Sequence, residues 1–314
     1  MYTLDQPTTV ALLCLYLPVF ALSLAGNSLV IYVVYKNPHM RRLKNLFLVN
    51  LAIADLAVTL ICMPLTAGQI VFRLWVYGGA MCKLIGYIQG VAVNCSIFTL
   101  AALSIDRYLA IKNSVVGSCN SCMSPGLLFL ATWLPAAICM SPLLCVRQVH
   151  AMAFPEFGIE ISYCIEEWPK QMDRKGYGIA LLFVTYILPL VIIIGCYSLI
   201  GRKLCSVEFH RKTSDSSSTV MLGRKRVARM LIALIAVFVL SWLPYNVTSL
   251  SLDLNYKYLD ARVLPYTLLL AHAHSAVNPF LYWFLNKSFR HCMRRALRCS
   301  SRRATRGREA HKYV

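Results

Sequence analysis

Apolar residues fall in seven long blocks separated by short polar stretches, roughly Ala11–Tyr35, Leu46–Val71, Leu84–Ile111, Met123–Cys145, Tyr177–Ile200, Met230–Leu252 and Val263–Leu285. A helix rises about 1.5 Å per residue, so roughly 20 apolar residues cross the hydrocarbon core of a bilayer. Leu84 to Ile105 has no charge at all. The pattern predicts seven membrane-spanning helices. No fixed period relates them, which weighs against a transporter built from duplicated halves. The first block lacks a basic lead-in and a small-residue cleavage site, so it reads as a retained helix and not a signal peptide.

Polar residues inside the blocks are few. Asp55 is the only formal charge in its block. A carboxylate at mid-membrane depth costs at least about 2.5 kcal/mol unless it is solvated or paired. Polar company can come from Ser96 and from Asn278 with Ser275 nearby, or Asp55 can be neutral and hydrogen-bonded to Asn27 and Asn278. Prolines mark kinks at Met63-Pro64 and at Pro244 beside Trp242, because proline removes a backbone donor.

Composition narrows the class. At 58% hydrophobic and 14% charged, the chain is too apolar for an ordinary soluble domain of 314 residues. Its net charge of +19 would suit nucleic acid, but the distribution argues against that reading. Lysines and arginines concentrate in the turns after the first and third blocks, between the fifth and sixth, and after the seventh. By the positive-inside rule those turns are cytoplasmic, with the N-terminus extracellular and the C-terminus cytoplasmic. Anionic membrane lipid is a second use for the charge.

Most of the thirteen cysteines lie inside apolar blocks. Cys82 and Cys164 are on the outer, oxidising side, where a bridge between them is chemically open. The loop Val146–Lys175 is long and reads YCIEEWPK around Cys164, like a hairpin lid at a pocket mouth. The linker before the sixth block holds the low-complexity tract Ser214–Thr219. After the seventh, FRHCMRRALRC places Phe289, Met293 and Leu297 at spacing four, which predicts a helix along the membrane surface. Cys299, with Cys292 second, is its candidate palmitoyl site.

Several motifs fall on the expected blocks and faces. They are Gly26-Asn27, LAIAD ending at Asp55, Asp106-Arg107-Tyr108 with Cys82 25 positions before the arginine, Trp133, FVLSWLPY over Phe238–Tyr245, and NPFLY over Asn278–Tyr282. Together the chain resembles rhodopsin-like (class A) G-protein-coupled receptors over roughly residues 11–299. CMPLT (Cys62–Thr66) and YIQGVAV (Tyr87–Val93) look most similar to the neuropeptide Y and neuropeptide FF receptors.

The resemblance implies an all-α seven-transmembrane bundle (11–286) with a short amphipathic eighth helix (287–299), flanked by an extracellular tail (1–10) and a basic cytoplasmic tail (300–314). It implies a plasma-membrane receptor, a Cys82–Cys164 disulfide, and no cofactor beyond an allosteric sodium ion at Asp55, Ser96 and Asn278. The implied coupling machinery is Asp106, Arg107 and Tyr108, with Ile97, Pro189, Tyr197, Phe238, Asn278, Pro279 and Tyr282. Its intracellular partners would be a heterotrimeric G protein, arrestin and a receptor kinase. The implied ligand residues are Thr66, Gln89, Glu166, Glu167, Trp242, Tyr245, Asn246, Asp253 and His272. Gln89 stands where an amine receptor needs a carboxylate, and His272 where a retinal pigment needs lysine. Glu160, Glu166, Glu167 and Asp253 would make a mouth suited to a neuropeptide with a basic or amidated end.

Some positions depart from the family. Arg224, Lys225 and Arg226 offer Arg107 no acid across the bundle, which favours raised basal signalling. Ser114 replaces a common proline, Ser241 a common cysteine, and His274 an asparagine near the ion site. The rival readings are a transporter and a receptor-like decoy or scaffold. The first lacks paired broken helices, and the second predicts loss of Arg107 or Tyr282, both present. No nucleophile–base set or metal pair recurs to favour an enzyme.

Overall fold

The computed structural model describes residues 6–113, 124–154, 159–210, 215–254, 261–286 and 289–295. The helices are α1 (Pro7–Lys36), α2 (Leu43–Ala57), α3 (Met63–Phe72), α4 (Gly78–Asn113), α5 (Pro125–Met140), α6 (Pro142–Val146), α7 (Gln171–Leu182), α8 (Leu188–His210), α9 (Asp215–Asp253) and α10 (Leu264–Leu285). The strands β1 (Arg147–Phe154) and β2 (Ile159–Glu166) lie between α6 and α7. α2–α3, α5–α6 and α7–α8 each form one interrupted span, so the chain is an all-α bundle of seven spans. Residues 289–295 add about two further helical turns beyond it.

Two interruptions share one cause. π segments at Val58–Cys62 and Phe183–Ile187 each end two residues before a proline, Pro64 and Pro189. Proline has no N–H for the i−4 carbonyl, and its ring crowds that turn, so a widened turn relieves the clash. α5 starts cleanly because the Ser124 hydroxyl accepts the Leu127 N–H at 3.2 Å.

Among the described residues, six spans are long and apolar enough to cross a membrane by length and composition. The seventh, α10, is more polar. Its His272, His274, Ser275 and Asn278 are all buried, so they face other helices and not lipid. α4 touches α2, α5, α8, α9 and both strands, while α10 packs on α1 and α9. At the α1–α10 contact Gly26 is required by space: a Cβ there would lie 2.7 Å from Pro279 Cγ. Asn27, next to it, donates to the Ser275 carbonyl at 3.0 Å.

β1 and β2 pair antiparallel, with Arg147 opposite Glu166 and Val149 opposite Cys164. The Cys82–Cys164 disulfide, Cα–Cα 5.6 Å, fixes this hairpin to the first turns of α4. Trp75 fastens it again, its backbone N–H donating to Ser162 O and its indole to Gly78 O, both at 2.7 Å. At the other end Phe289, Cys292 and Met293 are buried against the bundle core. Cys292, the second candidate for a palmitoyl chain, is therefore packed inside. Cys299, Ser114 and the Ser214 end of the low-complexity tract lie outside the described residues.

Candidate ligand cavity and the polar core below it

A cavity of about 730 Å³ opens at the hairpin end of the bundle. That volume is in the range of small-molecule and peptide-anchor sites. Trp242 and Tyr245 form its floor, one helical turn apart on α9, with ring centroids 5.8 Å apart and nearly perpendicular. Polar side chains on the walls include Thr66, Gln89, Asn94, Asn246 and Ser249.

The described rim residues carry more cations than acids. Among the described lining residues, Arg73, Arg147, Arg174 and Arg262 face one acid, Glu166. Glu166 lies 3.6 Å from Arg147 Nε and accepts the Trp168 indole N–H at 3.2 Å. Glu160 is exposed on β2 and does not line the cavity. Glu167, expected among the ligand residues, pairs instead with His150 at 3.0 Å, both side chains about half exposed.

His272 also departs from expectation: it is fully buried below the floor, its Nδ1 3.3 Å from the Tyr16 hydroxyl. Thr66, Gln89, Glu166, Trp242, Tyr245 and Asn246 are brought together on the cavity wall. Asp253 is the last residue of α9; its side chain lies outside the described residues. The four arginines were visible in the sequence but were weighed only as topology signals. Placing them on one rim needed the hairpin and the start of α10.

Below the floor runs a buried polar core. Trp242 Nε1 lies 3.2 Å from His274 Nδ1, and His274 Nε2 lies 3.3 Å from Asp55 Oδ1. That last contact is not a hydrogen bond, and Nε2 has no hydrogen-bond partner among the described residues. Ser275 Oγ donates to Asp55 Oδ1 and Asn278 Nδ2 to Oδ2, each at 2.8 Å. Both carboxylate oxygens are thus served by groups of α10.

Ser96, Asn278 and His274 stand differently toward Asp55 from the arrangement that the sequence suggests. Ser96 donates to the Ala92 carbonyl of its own helix at 3.1 Å and makes no bond to Asp55. Asn278 turns its N–H, not its carbonyl, to the carboxylate. An imidazole completes the set, and nitrogen is a poor donor for a hard alkali cation. The neutral hydrogen-bonded alternative accounts for Asn278; Asn27 bonds Ser23 and Ser275 instead.

At the opposite end of α4, Arg107 Nε donates to Asp106 Oδ2 at 3.0 Å, and a second guanidinium N–H also reaches that oxygen. Tyr108 is half-buried beside them. The hydroxyls of Tyr197 and Tyr282 are buried with no hydrogen-bond partner among the described residues. Ile97 and Phe238 lie in one core cluster with Trp242 and Tyr282. Pro189 and Pro279 are buried in α8 and α10. The side chains of Arg224, Lys225 and Arg226 lie outside the described residues.

A seven-span bundle with a bridged hairpin lid, a cavity floored by tryptophan and an Asp-Arg pair at the far end is the architecture of a membrane receptor. Residues 26–282 match the family described as "7 transmembrane receptor (rhodopsin family)", and the chain belongs to it. It is a multi-pass membrane protein of a receptor family, not an enzyme.

Among individual proteins, it is 32% identical to neuropeptide FF receptor 1 of Rattus norvegicus over 316 residues, covering 95% of this chain and 72% of that one. It is 33% identical to neuropeptide Y receptor type 2 of Homo sapiens over 301 residues, covering 93% and 77%. Neuropeptide FF receptor 2 of Mus musculus is 30% identical over 328 residues, covering 96% and 76%.

Proposed function

We propose that this chain is a plasma-membrane receptor that binds a peptide in the hairpin-end cavity and activates a heterotrimeric G protein at the Arg107 end. The N-terminus and hairpin are extracellular and the basic tail cytoplasmic, as the placement of lysines and arginines favours. One observation carries the reading: α4 lines the cavity with Gln89 and ends at the Asp106–Arg107 pair. A change of packing at one end can therefore bias the other. A peptide pressing on Trp242 and Tyr245 would act beside Pro244, where the α9 backbone lacks one hydrogen bond. Release of Arg107 from Asp106 would open the intracellular face, with Tyr197 and Tyr282 hydroxyls available to it.

The cavity's polar and aromatic lining, with Thr66, Gln89, Asn246, Trp242 and Tyr245, suits the end of a peptide, and Glu166 offers a basic or amidated end an acceptor. Arrestin, a receptor kinase and anionic lipid are further partners that this reading gives the arginine-rich face.

The test is a library of neuropeptides, amidated and free-acid, applied to cells expressing the chain, with calcium and cyclic AMP readouts. A peptide that signals through the chain and is silent on Arg107→Ala is the expected result. Binding without any nucleotide exchange would instead identify a decoy.

A further inference from the structure

We propose that His274 takes the place of a cation at Asp55, so that this receptor holds its membrane-centre carboxylate with side chains alone and is blind to sodium. The inference rests on the bundle core and does not depend on the peptide reading.

Asp55 is wholly inaccessible. A carboxylate there needs either a bound cation or convergent hydrogen-bond donors. The donors are present. Ser275 and Asn278 each give a hydrogen at 2.8 Å, and the His274 ring edge closes on Oδ1 at 3.3 Å. The two donors and the ring, which makes an electrostatic contact and not a hydrogen bond, sit on neighbouring turns of α10, so one helix supplies all three groups.

The imidazole also occupies one side of the carboxylate. The imidazole is wedged between aromatic rings, with centroids 5.4 Å from Phe238 and 5.8 Å from Trp242. Its Nδ1 is held from two sides, 2.7 Å from Ala271 O and 3.2 Å from Trp242 Nε1. Carrying a hydrogen, Nδ1 donates to Ala271; without one, it accepts from Trp242. In the second arrangement the ring carries its hydrogen on Nε2, toward Asp55. A single rigid ring then spans from the cavity floor to Asp55. Displacing Trp242 must move that ring or break its contact, so cavity and carboxylate are linked without an exchangeable ion.

Purified receptor in nanodiscs tests this directly, with sodium itself as the probe. Thermal unfolding is followed in about 150 mM sodium chloride and in the same concentration of N-methyl-D-glucamine chloride. An ion that binds only the folded state raises the midpoint by mass action. The native chain is expected to show no sodium-specific shift. His274→Asn removes the ring and offers an amide oxygen, and should gain a rise of roughly 2 °C or more. Adding Asp55→Asn to that variant should abolish the gain. If His274→Asn does not fold, His274→Ser provides the same smaller, oxygen-bearing side chain.

A sodium-specific rise in the native chain that Asp55→Asn removes would overturn the proposal. So would folded His274→Asn and His274→Ser variants that both ignore sodium, because something other than the ring would then exclude the ion.

Discussion

Asn50 on α2 accepts the indole N–H of Trp133 on α5 at 2.9 Å, while its own amide donates to Thr99 on α4 at 2.7 Å and to Thr132 at 3.0 Å. One buried amide thereby joins three spans. Interhelical bonds of this kind contribute roughly 1 kcal/mol each in a membrane. Thr99 and Thr132 also donate to carbonyls of their own helices, so removing Asn50 orphans chiefly the Trp133 N–H. Asn50→Leu should lower the unfolding midpoint by several degrees. Combining it with Trp133→Phe should cost less than the sum of the two, because the orphaned donor goes too. Strict additivity, measured in the same nanodiscs, would deny the coupling.

Asn50 also shows where sequence reading stopped. Block lengths and polar interruptions revealed the seven spans, the hairpin lid and the motif residues, because membrane depth penalises every uncompensated polar group. They could not pair one buried polar residue with another. Asn50, Thr99 and Thr132 look like isolated interruptions until the helices are assembled. Asp55 was recognised as needing company, but His274 was read as a doubtful neighbour of an ion when its ring is itself part of that company. The rim shows the same limit. Glu160 and Glu166 share a face of β2, but only Glu166, at the strand's end, lines the cavity, while Glu167 lies beyond the strand and pairs with His150.

Gly26 gives a steric test of the α1–α10 contact. A Cβ would meet Pro279 at 2.7 Å, and both partners sit on packed helices with little freedom to yield. Gly26→Ala should separate α1 from α10 and weaken the Asn27–Ser275 bond, lowering the unfolding midpoint. Gly26→Leu should abolish surface expression. Surface labelling equal to the native chain for the leucine variant would mean that the two helices lie further apart.

Arg107 should separate coupling from binding. It lies at the far end of α4 from the cavity and contacts Asp106, so Arg107→Ala removes a group that no cavity ligand touches. Nucleotide exchange on the G protein should vanish while ligand affinity stays within about threefold, a change of under about 1 kcal/mol. Comparable loss of both would assign the arginine a structural role. Asp106→Asn should act in the opposite sense, raising basal exchange, since a neutral amide holds a guanidinium less strongly than a carboxylate does.

The ligand's charge can be read from a pair of residues at the rim. Arg262 sits in the turn Ala261–Val263 that leads into α10 and lines the cavity, whereas Asp253 is the last residue of α9. If the peptide brings an acid to the rim, Arg262→Ala should weaken its binding about ten- to a hundredfold, the range of a charge-assisted contact. Amidating the responsible carboxylate should then cost little more in the variant, because that contact is already lost. Arg174→Ala should show the same dependence to a smaller degree, as a second guanidinium in the same field. A peptide led by a basic end reverses the pattern: Asp253→Ala would carry the large loss, neutralising the peptide's arginine would be the non-additive change, and Arg262→Ala would be neutral or improve binding. Affinities should be compared at two salt concentrations, since rim charges facing water weaken as the Debye length shortens. The arginine reading fails if Arg262→Ala and Arg174→Ala, both at normal surface level, leave affinity unchanged while Asp253→Ala does not.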